Sequence, residues 1–480
     1  MSAAALAVLI AVEACAGARA MPGSAPRPPT RPSDPPAPLD PEIAALPGAH
    51  GYWMPDPEYG GTLYVIEAGP TDPDAIRAGA GRAPALVLVH GLGGGVRDYY
   101  PVLPELARRR RVIAFDLPGF SRSSRGNARY APDRYAAVLY EVIASYGHGP
   151  VDVLGHSMGG AIALLHAATY PGQVHRLVVV DAAGILHREA WFGQNLRRVT
   201  DPTGRVLPRI VDIVNEAADA LLDKTRLLDP APELLLGLAL LRQKVLGGEP
   251  GRIAALSLLL YDFSAALSRV EAPTLVVWGG DDNVAPLRTG QLLADRLRDA
   301  RLVVIPGVDH DVMAGAPGPL VAAVEEHLQA PVPPPPPAVP PGPSQGTAVC
   351  HGQTDLTFTG VYDSVTLEDC AHVTLDHVRA ARLTMRQSSA NVVASRFDRG
   401  VSADTSELIM TGGRIQGEVA IEARDSRLDL AGVAVTGTRD ACQVSGQSQV
   451  LFSVSPVQSG RRAPVWRHGP GGCTAIAPAP

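Results

Sequence analysis

Three side chains in this 480-residue chain have the types and surroundings that nucleophilic chemistry needs. They are Ser157 in Gly155-His156-Ser157-Met158-Gly159-Gly160, Asp282 in Trp278-Gly279-Gly280-Asp281-Asp282-Asn283-Val284-Ala285-Pro286, and His310 in Pro306-Gly307-Val308-Asp309-His310. A serine hydroxyl is a poor nucleophile until a base takes its proton and a third group holds that base in the right tautomer. Ser157 follows the apolar run Val151-Asp152-Val153-Leu154 and precedes a helix-like segment from Ala161 to Tyr170, which places it on a strand-to-helix corner. The flanking glycines permit the strained turn and close packing of such a corner. His310, one of 13 histidines, comes just after a strand-like run and is the best positioned as base. For the acid, the adjacent aspartates leave an ambiguity. Asp282 is chosen, four residues past Trp278 and four before Pro286, with Asp281 in reserve. Asp181, which also follows a strand-like run, is a further candidate for the orienting carboxylate.

Acyl transfer also needs donors for the oxyanion that develops on the attacked carbonyl. The stretch His90-Gly91-Leu92-Gly93-Gly94-Gly95 follows the apolar run 85 to 89, and its glycines let a backbone N–H face the site. The Leu92 and Met158 N–H groups are the expected pair of donors. The phosphate-binding patterns G-K-[ST] and G-x-G-x-x-G do not accompany these glycines.

The elements that must carry these residues alternate. Strand-like runs at 62–67, 85–89, 112–115, 151–154, 176–180, 274–278 and 302–305 are interleaved with helical patterns at 133–145, 158–170, 287–297 and 320–328. Runs without polar alternation suit strands buried on both faces of a parallel sheet, and the strand–helix succession predicts an α/β fold. Residues 186–268 interrupt it with leucine-rich helical patterns, read as a lid.

Composition bounds the rest. The length predicts two ordered domains. Hydrophobic residues at 46%, charged residues at 19% and a net charge of -6 give no electrostatic reason to expect nucleic acid. Residues 1–20 read as a signal peptide ending in Ala18-Arg19-Ala20, although no Lys or Arg precedes its apolar run, and Cys15 resembles a lipoprotein cleavage site. The expected location is therefore periplasmic, cell-surface or extracellular. Residues 21–48 form a proline-rich tether that should reach and not pack, 49–329 the α/β domain, and 330–349 a linker whose Pro331–Pro343 stretch suits a polyproline rod.

Residues 350–476 have a different grammar. Short alternating runs such as Val373-Thr374-Leu375, Leu408-Ile409-Met410 and Leu428-Asp429-Leu430 are separated by Asp, Ser, Arg and Gly. Their recurrence predicts an all-β domain, a parallel β-helix whose coils bury apolar faces by stacking, with a β-sandwich as the competing reading. Cys350, Cys370, Cys442 and Cys473 can form two disulfides in three connectivities.

Residues 51 to 329 resemble the α/β-hydrolase superfamily. The likeness rests on His90-Gly91-Leu92-Gly93, Asp116-Leu117-Pro118-Gly119-Phe120-Ser121-Arg122-Ser123, Gly155-His156-Ser157-Met158-Gly159, the segment Ala272 to Gly279 leading to Asp282, and His310. The resemblance implies Ser157 as nucleophile, Asp282 as acid, His310 as base, Leu92 and Met158 as the oxyanion hole, and no cofactor or metal. It implies hydrolysis of a small-molecule carboxylic ester, and the leucine-rich lid suggests an apolar one. Serine at 157 argues against the family's dehalogenases and epoxide hydrolases, which use aspartate. Ser121 departs from the pattern, which often has glycine there. A carbon–carbon bond hydrolase or cofactor-free perhydrolase on the same fold is the alternative. From another class comes a surface protein whose β-rich domain contacts polysaccharide or the cell envelope.

Overall fold

The computed structural model describes residues 36–70, 83–146, 149–186, 235–329, 342–460 and 472–475, the last four by backbone alone. The signal peptide, Cys15, most of the tether and of the polyproline stretch, and residues 187–234 of the insertion lie outside the described residues. Those described divide into two compact units. The first runs to His166 and adds Tyr170–Arg176 and 235–261; the second holds Ala167–Thr169, 177–186 and the residues from Asp262 on.

The strands β1 (His50–Pro55), β2 (Thr62–Ala68), β3 (Leu86–Val89), β4 (Val112–Phe115), β5 (Val151–His156), β6 (Val174–Val180), β7 (Thr274–Gly279) and β8 (Ala300–Ile305) make an eight-stranded sheet in the order β1-β2-β4-β3-β5-β6-β7-β8. β3 pairs parallel with β4 and β5, and β7 with β6 and β8, while β1 and β2 join antiparallel. Every residue of β3, β4, β5 and β7 is buried, which accounts for the unbroken apolar runs of β3 and β4, while the buried Asp152 of β5 is paired with His175. Helices α3 (Pro132–Tyr146) and α4 (Met158–Thr169) fall where the periodicity predicts them; α1 (Pro41–Ala44) and α2 (Leu103–Leu106) are single turns.

The end of the expected tether packs after all. Ala37 and Ile43 are buried, and the Ala37 N–H donates to Gly51 O at 2.9 Å. Two apolar side chains and one aspartate suffice to anchor this stretch despite its prolines. The described part of the insertion is helical, with α5 (Ala239–Leu246), α6 (Pro250–Leu260) and α7 (Ser264–Leu267). Beyond β7 come α8 (Leu287–Arg296), α9 (Val312–Gly315) and α10 (Pro317–Gln329). Among the described residues no helix is long and apolar enough to cross a membrane.

The all-β region opens at Thr347, inside the span read as linker, and forms a 13-stranded sheet in which every pairing is parallel. The β-sandwich reading expects antiparallel sheets, and none of the described pairings in this region is antiparallel. Pairing joins residues some 17 to 22 positions apart: Leu375 to Val392, Leu408 to Leu428, Leu428 to Val450. Inward Val373, Leu375, Leu383, Leu408, Met410, Leu428 and Leu430 make the core. The polar separators make the corners. Asp369, Gln387, Thr405 and Asp425 adopt positive φ, and the residues after them, Cys370, Ser388, Ser406 and Ser426, turn inward. A ladder results: the N–H of Cys370 donates to Ser388 Oγ, that of Ser388 to Ser406 Oγ, of Ser406 to Ser426 Oγ, and of Ser426 to Ser448 Oγ. Each backbone N–H buried at a corner thus finds an acceptor. Cys350 and Cys370 are joined by a disulfide, and Cys442 is also disulfide-bonded.

Candidate active site

Ser157 sits between β5 and α4 with φ 54° and ψ -123°, 2% exposed. A non-glycine residue pays for positive φ, and here the glycines around it leave no other course. A Cβ on Gly155 would lie 2.2 Å from Gly159 O, and one on Gly159 would lie 2.0 Å from Val89 O. The two glycines therefore let strand, corner and helix touch. Met158 opens α4, so its N–H belongs to the first turn, where no intrahelical acceptor exists and the helix dipole favours negative charge.

The glycine loop after β3 comes up against this corner, since a Cβ on Gly91 would lie 3.0 Å from Ser157 Cβ. Leu92, the other expected donor, is next in the chain and buried. Two groups without an individual role in the sequence reading, His90 and Asp116, fix this loop. His90, wholly buried, has Nδ1 2.7 Å from Gly91 O and accepts from the Leu117 N–H at Nε2 (2.8 Å), a pattern that fits the neutral Nδ1–H tautomer. Asp116 bridges two loops, accepting from the N–H of Val96 (2.7 Å) and of Arg122 (2.9 Å).

Asp40 joins the same two loops from outside. Its carboxylate accepts from Arg97 Nε at 2.8 Å, from Tyr100 Oη at 2.6 Å and from Arg122 Nη2 at 2.5 Å. Its hydrogen bonds to Arg97 and Tyr100 hold this carboxyl far below the usual carboxylate range. No spacing rule could have found the clamp, because Asp40 lies 57 and 82 residues from its arginines.

Ser121, the departure from the family pattern, has φ 46°. This left-handed backbone is what glycine accepts freely, and serine adopts it here at a cost of order 1 kcal/mol. The neighbouring Gly119, at φ 87°, brings the loop against the insertion: a Cβ there would lie 2.7 Å from Pro250 Cβ of α6. Arg242 of α5 donates to Asn127 Oδ1 and Asn127 O, and Asn127 returns a bond to Ala239 O.

On the acid and base side, the carboxylate that meets His310 is that of Asp282: His310 Nδ1 lies 2.8 Å from Asp282 Oδ2, and both residues are 1% exposed. Asp282 Oδ1 also accepts from the N–H groups of Val284 (2.8 Å) and Ala285 (2.9 Å). A carboxylate that accepts hydrogen bonds from two backbone N–H groups and meets the imidazole at Nδ1 orients the ring so that Nε2 is the nitrogen that can take a proton. Asp281 is exposed, and its N–H donates to Val308 O. Gly279 lets the two loops close up, since a Cβ there would lie 2.3 Å from Asp309 O. Asp181, wholly buried at φ 46°, accepts from the Gly279 N–H at 2.8 Å. Burial, with Asp282 and Asp309 near, pushes its carboxyl well above the usual range.

The family model described as the alpha/beta hydrolase family matches residues 86–324. The chain belongs to this family. It is 31% identical over 247 residues to the dihydrolipoyllysine-residue acetyltransferase component of the acetoin cleaving system of Pseudomonas putida, which takes in 50% of this chain and 61% of that protein. It is also 31% identical to 2-hydroxymuconate semialdehyde hydrolase of Pseudomonas sp. (strain CF600), over 47% of this chain and 80% of the relative. With the pimeloyl-[acyl-carrier protein] methyl ester esterase of Chromobacterium violaceum it shares 31% identity, over 52% of this chain and 96% of the relative.

Proposed function

We propose that the chain is an exported serine hydrolase that cleaves carboxylic esters through an acyl-enzyme. The observation that carries this reading is the buried Asp282–His310 hydrogen bond, in a chain whose Ser157 stands on a glycine-walled corner of positive φ. Ser157 Oγ attacks the acyl carbon while His310 Nε2 takes its proton. The Leu92 and Met158 N–H groups hold the oxyanion, and His310 returns the proton to the departing alkoxide. Water, deprotonated by the same imidazole, then releases the acid. The leucine-rich insertion supports an apolar acyl group, and the methyl ester esterase among the relatives supports the ester class. The Cys350–Cys370 disulfide supports an oxidising compartment, hence export.

A second reading, carbon–carbon bond hydrolysis, is favoured by the likeness to 2-hydroxymuconate semialdehyde hydrolase. The deciding experiment pairs a serine-directed fluorophosphonate with two substrate panels. The wild-type chain should label and Ser157→Ala should not; labelling that survives the substitution removes the site assignment. Turnover of p-nitrophenyl esters supports the first reading, whereas cleavage of vinylogous diketones with esters untouched supports the second.

A further inference from the structure

In the all-β region the strand Arg427–Ala431 alternates: Leu428 and Leu430 point into the core, so Asp429 takes an outward position. Yet Asp429 is only 8% exposed, and Thr411, on the neighbouring strand, only 2%. What covers them is α8, the helix that begins five residues after Asp282. Arg288, in its first turn and itself 8% exposed, donates from Nε to Thr411 Oγ1 (2.6 Å), from Nη1 to Asp429 Oδ2 (2.8 Å), and from Nη2 to Met410 O (2.9 Å) and Asp429 O (3.0 Å). Further along α8, Asp295 Oδ2 accepts from the Gly413 N–H at 3.0 Å. Leu292 and Arg296 pack so closely on Gly432, at φ 67°, that a Cβ there would lie 2.9 Å from Leu292 Cγ.

The run from Asp282 to Arg288 has little freedom. Asp282 holds the N–H groups of Val284 and Ala285, Trp278 Nε1 donates to Ala285 O at 2.9 Å, and the Thr289 N–H donates to Pro286 O at 2.7 Å. A guanidinium with four bonds to the all-β region is thus connected through six residues, braced by hydrogen bonds, to the carboxylate that orients His310. We infer that Arg288 is a positioning residue, through which the all-β region fixes α8 and the loop of Asp282. This rests on the proposed role of Asp282 as the acid. Arg288 touches no reacting atom; it sets where the Asp282 carboxylate stands, and misplacements on the ångström scale at such a group are costly in rate.

The test uses the full chain. Arg288→Met removes the fork and keeps the stem, Arg288→Lys keeps the charge without the fork geometry, and Asp429→Asn keeps the shape of the partner. Each is assayed for kcat and KM on p-nitrophenyl butyrate, for the rate of fluorophosphonate labelling at Ser157, and for Tm. The expected result is a fall of about tenfold in kcat and labelling rate for Arg288→Met, with KM within about twofold and partial recovery in Arg288→Lys. A lowered Tm with kcat and labelling unchanged would reduce Arg288 to a structural tie and overturn the inference. Should Arg288→Met not fold, the same split read from Arg288→Lys and Asp429→Asn decides. Asp282→Asn, run in parallel, separates the two levels: wild-type labelling in that variant removes the acid assignment itself. Lost labelling there beside unchanged Arg288 variants removes only the inference.

Discussion

Strand β3 buries all of Leu86, Val87, Leu88 and Val89, whereas Glu407–Thr411 buries Leu408 and Met410 and leaves Glu407 and Ile409 partly exposed. Both strands pair parallel with their neighbours. The difference lies in what closes the faces. β3 is buried on both faces, and the polar groups Ser157, Asp282 and His310 stand in segments beyond the ends of strands of that sheet. The all-β region alternates inward apolar and outward polar residues along many of its strands, so its polar residues lie along the strands and at serine-lined corners. Parallel pairing alone says nothing about where chemistry can sit; the covering of the faces decides it.

The contrast can be broken most severely at a strand end. Asp282→Asn should lower kcat by about 10⁴-fold with Tm nearly unchanged, as read by steady-state kinetics beside thermal unfolding; a large loss of Tm with little loss of rate would mean that the Asp282 carboxylate is structural. Next come the faces. Leu88→Ala and Leu408→Ala, both wholly buried, should each cost about 2–5 kcal/mol in denaturant unfolding. In the all-β region the cost should alternate, with Ile409→Ala well under that of Leu408→Ala, while Val87→Ala in β3 stays costly. An unalternating profile over 407–410 would erase the distinction.

Acid should reach the first region through His166, buried in α4, whose pKa burial lowers to about 4. Because the folded value lies below that of a free histidine, the unfolded chain binds more protons between pH 6.5 and about 4. Stability should therefore fall by roughly 3 kcal/mol on acidification through that window. His166→Gln should flatten this part of the stability–pH curve; an unchanged slope would assign it to other groups. The smallest effect is expected at a corner. Ser406→Ala removes the acceptor of the Ser388 N–H and should cost about 1–3 kcal/mol, and a cost near zero would show that the ladder is dispensable.

Much of this was readable beforehand, for physical reasons that differ by residue. Ser157 and the Leu92 loop announce themselves because backbones that touch require glycine, and glycine is visible in a sequence. The strands of the first sheet were legible because double burial keeps polar interruptions few, Asp152 of β5 being one that His175 partners. Asp282 and Asp281 could not be told apart on firm grounds, since both follow the same strand and only burial separates them. The clamp at Asp40 was hidden among prolines, and β1 went unread because Pro55 and exposed His50 blur its pattern. Arg288 could not be foreseen: a cation on a helix reads as solvent-facing until the partner that covers it, 122 residues or more away, is known.

The link between Cys350 and Cys370 bears on how the all-β region comes apart. In a run of parallel strands each is held by a neighbour on either side, whereas the opening strand Thr347–His351 pairs on one side alone among the described residues. Cys350 lies in the opening strand and Cys370 at the next corner, so the layer with the weakest grip is the one stitched covalently to its neighbour. Peeling from that end then cannot proceed strand by strand as it does in an open zipper. The region must loosen elsewhere or all at once, which places its resistance in the rate of unravelling as much as in its equilibrium.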